Sequence, residues 1–103
     1  MSKTAEKRKR AETDQSSDMS TVFKLLSDPT RLKILGLLFS SPGKCVSDIS
    51  EKVGISHSAT SHQLSKLEIH GVVACQRNGQ TMCYKIKKTT KTTLIKNLLK
   101  KFK

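Results

Sequence analysis

Residues 55–67 read ISHSATSHQLSKL, and this stretch decides the fold. Thr60, Leu64 and Leu67 recur at helical spacing, which predicts the inward face of a helix over residues 56–70. The opposite face carries short polar groups in place of the Glu and Lys pairs typical of a solvent-facing helix. Those groups are His57, Ser58, Ser61, His62 and Ser65. Because small hydrogen-bonding side chains suit close approach to base edges and phosphates in a major groove, the stretch indicates a DNA-reading helix.

The segment before this helix predicts a second, shorter helix. Apolar residues recur on one face of Val46–Val53, with Ser47 as a candidate N-cap. Gly54 supplies a turn, and Ser56 is a good N-cap for the helix that follows. Helix, tight turn with glycine, and helix form the helix-turn-helix pattern, in which the second helix reads DNA.

After the DNA-reading helix, Asn78-Gly79 lies between two extended segments, residues 72–77 and 80–86. Asn-Gly flanked by strand-like residues is the strongest short signal for a β-hairpin. We therefore expect a hairpin wing over residues 72–86. The tip of this wing consists of Arg77, Asn78, Gly79 and Gln80.

The same turn predicts the register of the hairpin. Pairing across it sets Cys75 opposite Met82 and Val73 opposite Tyr84 on one face. Cys83 then lies on the other face, which disfavours a disulfide with Cys75. The three cysteines of the chain fit the thiols of a reducing cytosol better than a disulfide scaffold.

Two helices are predicted upstream of the helix-turn-helix. Apolar residues from Met19 to Leu26 give a short first helix that ends near Asp28. Pro29 suits the start of a second helix, where its missing N–H costs nothing. This second helix is almost wholly apolar through Phe39, so we expect it to be buried.

A last amphipathic helix is predicted within residues 85–103, which contain eight lysines and no acidic residue. Its apolar residues recur at helical spacing: Leu94, Ile95, Leu98, Leu99 and Phe102. This face could pack against its own domain. Because the core of so short a chain is small, we favour packing against a second copy of the chain.

The length and the charge of the chain limit the possible fold classes and partners. A chain of 103 residues allows one domain, which we place at residues 18–103 after a disordered basic arm at residues 1–17. The net charge of +12 favours a polyanionic partner over a merely solvated basic surface. The aromatic content of 4% disfavours the base-stacking platforms of single-strand binders. The predicted fold is mainly α with a β-hairpin wing: a winged helix-turn-helix of about five helices and two strands.

Three motifs of the chain resemble the ArsR/SmtB family of winged-helix transcriptional repressors. Residues 26–35, LSDPTRLKIL, resemble the start of that family's second helix, and residues 58–67, SATSHQLSKL, resemble its recognition helix. Gly71-Val72-Val73, followed by Arg77-Asn78-Gly79-Gln80 and Tyr84, resembles its wing. The resemblance covers residues 20–87, with the motifs in the family's order.

The resemblance implies a homodimer that is joined through its first and last helices and bound to a palindromic operator. Each recognition helix would enter a major groove, with half-sites about 34 Å apart. The residues that would contact DNA are His57, Ser58, Ser61, His62, Gln63 and Lys66 on the helix and Arg77 and Gln80 on the wing. The dimer interface would contain Val22, Leu25, Leu94, Leu98 and Phe102.

Several of these residues also have a purely structural interpretation. Ser58 could bond to its own helix N-terminus, and Ser61 could be an ordinary exposed serine. His62 could make a structural hydrogen bond to a neighbouring helix. Asn78 and Gly79 could be present for the turn itself, because both tolerate a positive φ.

Relatives in this family often respond to a metal or to oxidation, and here the ligands for metal are missing. Cys45-Val46-Ser47-Asp48-Ile49 resembles the family's metal motif Cys-Val-Cys-Asp-Leu, but Ser47 replaces the second thiolate and is a poor ligand for soft metals. Residues 86–103 contain no Asp, Glu, His or Cys. We therefore expect no metal site and no cofactor, and Cys45 remains as a possible effector or redox residue, because a helix N-terminus can lower a thiol pKa.

The leading hypothesis is a sequence-specific, double-stranded DNA-binding repressor in the cytoplasm, associated with the nucleoid. The alternatives are a weakly specific DNA-coating protein and a winged-helix protein-interaction module. No glycine loop for phosphate, metal triad or placed carboxylate pair is present, so we expect no enzyme. No apolar run approaches the ~18 residues of a membrane span.

Overall fold

The computed structural model describes residues 19–41 and 43–101. The predicted basic arm and Phe102 lie outside these residues, and the domain boundary at residue 18 stays a prediction. The helices are α1 (residues 19–26), α2 (Pro29–Ser40), α3 (Val46–Val53), α4 (His57–Ile69) and α5 (Thr90–Lys101). The strands are β1 (Lys44–Cys45), β2 (Val73–Asn78) and β3 (Thr81–Ile86). The predicted winged helix-turn-helix is thus confirmed, with one strand more than expected.

Helix α2 begins at a well-formed cap. The Asp28 carboxylate accepts hydrogen bonds from the backbone N–H groups of Thr30, at 2.8 Å, and Arg31, at 3.2 Å. Pro29 occupies the first turn, as predicted, because its φ suits a helix and its missing N–H needs no partner. The helix then buries Ile34, Leu35 and Leu38 in the centre of the domain.

The helix-turn-helix consists of α3 and α4. Gly54 ends α3 with a φ of 81°, a left-handed conformation that glycine adopts without steric cost. Ser56 caps α4 as predicted, since its side chain accepts a hydrogen bond from the Ala59 N–H at 3.0 Å. The prediction that Ser47 caps α3 is wrong, because α3 begins at Val46 and its N-cap residue is Cys45.

The three strands form an antiparallel sheet in the order β1-β3-β2. Asn78 pairs with Thr81, so the hairpin turns at Gly79 and Gln80, one residue later than predicted. Gly79 has a φ of 64° and Gln80 does not have a positive φ, which fits a type II′ turn with glycine first. The predicted register is therefore wrong by two residues, and Cys75 pairs with Tyr84. A shift of two preserves the side-chain alternation, so Cys75 and Cys83 lie on opposite faces as expected.

The core lies between α2, α4 and the sheet, with α1 and α5 closing it. Thr60, Leu64 and Leu67, the predicted inward face of α4, are fully buried. The core consists of Val22, Leu25, Ile34, Leu35, Leu38, Val46, Ile49, Leu64, Leu67, Val72, Val73, Tyr84 and Ile95. This packing leaves the polar face of α4 on the surface beside the wing.

Candidate nucleic-acid interface

The outward face of α4 is polar and accessible along its length. His57, Ser58, His62 and Lys66 are exposed, and Ser61 is half-buried. Among the described residues, neither the Ser58 nor the His62 side chain makes a hydrogen bond. The polar atoms of both side chains are therefore available to a ligand. The helix N-terminus adds partial positive charge to this end of the face.

The wing and α4 face a common space. Residues from α3, α4 and the wing line one open cavity of about 180 Å³: Val46, Ser47, His57, Ser61, Gln80, Thr81 and Met82. Three of the predicted DNA-contacting residues, His57, Ser61 and Gln80, therefore meet although they come from two separate elements. Arg77 is exposed on the same wing, near its tip.

Tyr84 connects the base of the wing to α4. It is 5% exposed, and burial, followed by the neighbouring Cys75 side chain, raises the pKa of Tyr84 to about 12. Tyr84 also belongs to the same buried core cluster as Leu64 and Leu67 of α4. The backbone N–H of Val72 also donates to the Leu67 carbonyl at 2.9 Å. The wing base is thus held against the recognition helix by both side-chain and backbone contacts.

Gln63 lies apart from the exposed face. It is half-buried, and its Oε1 atom has no hydrogen-bond partner within the described residues. Its side chain lies near Asp28, whose pKa is lowered chiefly by the hydrogen bond from the Arg31 backbone N–H. Gln63 therefore lies on the side of α4 that is near the start of α2.

The bonding of the cysteines differs from the prediction that all three are thiols. Cys45 and Cys83 form a disulfide bond, with their Cα atoms 3.7 Å apart, whereas Cys75 is free and donates to the Met82 sulfur at 3.9 Å. The prediction that all three cysteines are thiols is wrong. The pair leaves no signal in the sequence, because β1, which carries Cys45 next to β3, has only two residues and gives no alternating pattern. Within the described residues, no three His, Cys, Asp or Glu side chains cluster as metal ligands would.

The residues predicted at a dimer interface occupy two different environments. Val22 and Leu25 are each 1% exposed and belong to the core of the protomer, which takes them away from the surface. On the same helix, Met19 and Phe23 are 57% and 59% exposed. On α5, Leu94 is exposed and Leu98 is half-buried. The outward apolar groups of α1 and α5 are thus Met19, Phe23 and Leu94.

No helix in the described part of the chain is both long enough and apolar enough to span a membrane.

Known proteins share both the sequence pattern and this architecture. Residues 28–74 match the family described as "Bacterial regulatory protein, arsR family". The chain is 34% identical to the HTH-type transcriptional regulator YgaV of Escherichia coli over 79 residues, which cover 77% of this chain and 80% of YgaV. It is 41% identical to the transcriptional repressor SdpR of Bacillus subtilis over 71 residues, which cover 69% of this chain and 78% of SdpR. The match to relatives named for cadmium resistance covers only 58% of their length.

A solved structure extends the similarity to the fold. The homodimeric winged helix-turn-helix DNA-binding domain of Mb0332 from Mycobacterium bovis superposes with a TM-score of 0.72 at 30% identity. The match covers 88% of this chain and 81% of that domain.

Proposed function

Because this chain belongs to the ArsR family of bacterial regulatory proteins, we propose that it is a homodimeric repressor that recognises a specific palindromic operator. Membership makes it a DNA-binding transcriptional regulator rather than an enzyme. The observation that carries the finer proposal is the cavity in which His57 and Ser61 of α4 meet Gln80 of the wing. The surface formed by α4 and the wing could thereby contact a major groove and the adjacent minor groove or backbone of one duplex.

Helix α4 would enter the major groove with its N-terminal half foremost. His57, Ser58, Ser61 and His62 occupy that half, and their short side chains allow the helix backbone to approach base edges closely. Lys66 lies about one turn beyond His62, where its longer side chain suits a phosphate contact. Gln63 is half-buried, so we expect it to contribute less to DNA contact than the exposed residues of α4.

The wing would contact the adjacent minor groove or backbone. Arg77 supplies a positive charge and Gln80 a hydrogen-bonding amide, and both side chains are exposed. The contacts that Val72 and Tyr84 make with α4 fix the spacing between wing and helix before DNA binds. Such preorganisation reduces the entropy lost on binding.

The dimer would form through the outward faces of α1 and α5. Met19, Phe23 and Leu94 are exposed apolar groups that a second copy would cover, with Leu98 beside them. The twofold axis of such a dimer would place two α4 helices in successive major grooves, about 34 Å apart. Its partner is chromosomal DNA, so the proposal locates the protein at the nucleoid, in the cytoplasm.

The high charge supports a second candidate function, weakly specific DNA coating. A net charge of +12 on 103 residues gives strong, salt-dependent attraction to any duplex. The two functions differ in sequence preference: a repressor binds its operator at least about 10³-fold more tightly than other DNA, and a coating protein does not. A protein-interaction module, the third possibility, would bind neither the operator nor other duplex DNA.

The test is selection of duplexes from a random pool, followed by fluorescence anisotropy on the enriched duplex and on a scrambled version across a salt series. We expect enrichment of a palindrome and a strong preference for it. Ser61→Ala combined with His62→Ala should remove the preference, whereas Ser40→Ala, an exposed serine at the end of α2, should leave it intact. Equal affinity for both duplexes would replace the repressor with a coating protein, and absence of binding would leave the interaction module.

A further inference from the structure

A groove between α2 and α5 lies outside the proposed DNA-binding surface. Its larger part is a cavity of about 690 Å³, lined by the end of α2, the end of β3 and the start of α5. A second cavity of about 150 Å³ continues it along the two helices. Phe39 and Lys96 line both cavities, so the two form one elongated groove. The larger cavity has the size of a small-molecule site, about 300–1,000 Å³.

The floor of the groove is apolar. Leu38 is buried, Phe39 and Ile86 are half-buried, and all three line the larger cavity. Leu99, also half-buried, lines the smaller cavity beside Phe39. The apolar surface therefore runs from the end of β3 to the second half of α5, which suits an extended hydrocarbon chain better than a compact polar molecule.

The rim of the groove carries positive charge alone. Lys85, Lys87, Lys88 and Lys96 line the larger cavity, and all four are exposed. Among the described residues, no acidic side chain lines either cavity and none of these lysines makes a salt bridge. The rim therefore attracts an anion, since no carboxylate of the described chain neutralises it.

The positive charge is concentrated at one end of the groove. Three of the lysines lie at or just after the end of β3, directly before α5 begins. Thr92 and Thr93, in the first turn of α5, line the same cavity, so the partial positive charge of the helix N-terminus adds to that of the lysines. An anionic head is favoured at this end, with an apolar chain directed past Phe39 toward Leu99.

The groove is distant from the tip of the wing. Ile86 ends β3 at the opposite end from Gln80, about 20 Å away at the rise of a β-strand. In the described part of the chain, none of the residues predicted to contact DNA lines either cavity. The proposed DNA contacts therefore do not account for the lysines of the groove.

The groove also lies away from the apolar face of α5 that we propose for dimer formation. Leu94 is two positions from Thr92 and two from Lys96, which corresponds to about 200° of rotation around the helix. Leu94 thus lies on the side of α5 opposite the groove. A second copy that covers Leu94 would leave the groove open to a ligand.

We propose that this groove binds the anion of a free medium- or long-chain fatty acid, with its carboxylate among Lys85, Lys87 and Lys88 and its chain along Phe39 and Leu99. The lysines supply charge-assisted hydrogen bonds to the carboxylate, and burial of the chain against the floor supplies the hydrophobic contribution. The site uses none of the proposed DNA-contacting residues, so it goes beyond the proposed function and does not depend on it.

The test is isothermal titration calorimetry of the full chain with dodecanoate, kept below its critical micelle concentration. We expect saturable binding of one dodecanoate per chain. Acetate has the same head without the chain and should not bind. Dodecyltrimethylammonium carries the same chain on a cation and should bind at least about tenfold more weakly than dodecanoate.

Variants at the two ends of the groove test the head and the chain separately. Lys87→Gln combined with Lys88→Gln should weaken dodecanoate binding about tenfold or more, because two cations near the carboxylate are lost. Gly36→Leu should weaken dodecanoate more than the shorter octanoate, because Gly36 lines the smaller cavity and an added Cβ meets no atom within 4 Å. Lys24→Gln combined with Lys52→Gln removes two exposed lysines outside the groove and is the control for net charge. Circular dichroism checks that each variant is folded.

Several results would overturn the site. These are absence of saturable dodecanoate binding, equally tight binding of the cationic amphiphile, and wild-type affinity in both groove variants. If the double lysine variant weakens binding to every duplex and leaves dodecanoate unchanged, the lysines contact DNA phosphates and the fatty-acid site is wrong. If dodecanoate does not bind and Gly36→Leu changes the dimer dissociation constant in analytical ultracentrifugation, a second copy occupies the groove. Selection of a palindromic duplex tests the proposed function separately from all of these results.

Discussion

The Nζ atom of Lys91 donates a hydrogen bond to the backbone carbonyl of His70, at 2.8 Å. Lys91 belongs to α5, and His70 is the C-cap residue of α4. A cation at this place also interacts favourably with the partial negative charge at the C-terminus of a helix. The contact therefore ties the helix that we propose for dimer formation to the end of the helix that we propose for reading DNA.

Replacing Lys91 should weaken this connection. We expect Lys91→Gln to lower the free energy of unfolding by about 0.3–1 kcal/mol, the range for a charge at a helix end. Urea denaturation followed by circular dichroism measures the change. Lys96→Gln, an exposed lysine on the same helix, is the matched control. An equal loss in both variants would contradict a specific role for Lys91.

The Asp28 cap should make stability depend on acid pH. Its hydrogen bonds with the Arg31 and Thr30 N–H groups lower the Asp28 pKa from 3.8, so the carboxylate stabilises the folded state above that pH. This contribution is lost as the pH falls below 3.8 toward the lower pKa of the folded state. Asp28→Ala should cost about 1 kcal/mol at neutral pH.

Asp28→Asn provides the control for the cap, because its amide oxygen can accept the same hydrogen bonds without titrating. We expect Asp28→Asn to retain most of the free energy of unfolding at neutral pH. This free energy should no longer fall with acid pH through the titration of residue 28. Urea denaturation at a series of acid pH values checks both. A wild-type-like pH profile for Asp28→Asn would show that another carboxylate causes the acid dependence.

Tyr84 should ionise at unusually high pH. It is the only tyrosine of the chain, so the near-ultraviolet absorbance of tyrosinate reports this residue alone. Burial raises its pKa from 10.0 to about 12 in the folded state. The unfolded state therefore loses this proton first, and stability falls as the pH rises from 10 toward 12.

Tyr84→Phe removes the titrating group and should abolish that part of the alkaline loss. Absorbance titration and circular dichroism, recorded together, test this. We expect tyrosinate absorbance and loss of helix to rise in the same pH range in the wild-type chain. Ionisation with a midpoint at 10.0 in the folded protein would contradict the buried environment of the hydroxyl.

Thr92 should stabilise the link between β3 and α5 through its hydroxyl. Its side chain is buried, donates to the Lys87 carbonyl at 2.5 Å and accepts from the Thr89 N–H at 2.9 Å. Thr92→Val keeps the shape and leaves both partners unsatisfied, so we expect a loss of about 1–3 kcal/mol in thermal or urea denaturation. Thr93→Val removes only one exposed bond to the Thr89 carbonyl and should cost much less. Similar losses in the two variants would show that burial does not decide the cost.

Arg77 should contribute charge rather than sequence preference. We expect Arg77→Ala to weaken binding to all duplexes alike and to reduce the slope of log affinity against log salt by about 0.9, as one lost phosphate contact would. Anisotropy on the selected and scrambled duplexes measures both quantities. Lys33→Ala, an exposed cation on α2, is the control. A change in preference without a change in salt slope would make Arg77 a base-reading residue.

Periodic patterns predicted most of the fold. Thr60, Leu64 and Leu67 defined the inner face of α4, and Pro29 and Ser56 marked helix starts that the structure confirms. These features are local, so the residues that cause them are close together in sequence. The same reasoning placed the polar face of α4 on the surface, whereas only the family resemblance implied that the wing acts beside it.

What the sequence did not reveal depends on contacts between distant segments. Strand β1 exists because Lys44 and Cys45 pair with β3, and two residues carry no period of their own. The turn lies at Gly79 and Gln80, and not at Asn78 and Gly79 as predicted, because a type II′ turn needs glycine only at its first central position. The half-buried position of Gln63 follows the helical period of Thr60 and Leu67, but its neighbour Asp28, the N-cap residue of α2, comes from a distant segment that this period does not indicate.

Every residue that we propose contacts DNA lies between Cys45 and Cys83, so the oxidised chain carries its entire reading surface inside one covalent ring. Helices α1 and α5, which we propose join the two protomers, lie outside that ring. A bond that closes this ring restricts the unfolded chain over the same residues, so reducing it should lower the free energy of unfolding of the reading surface, while the helices proposed to join the protomers stay outside the closed loop.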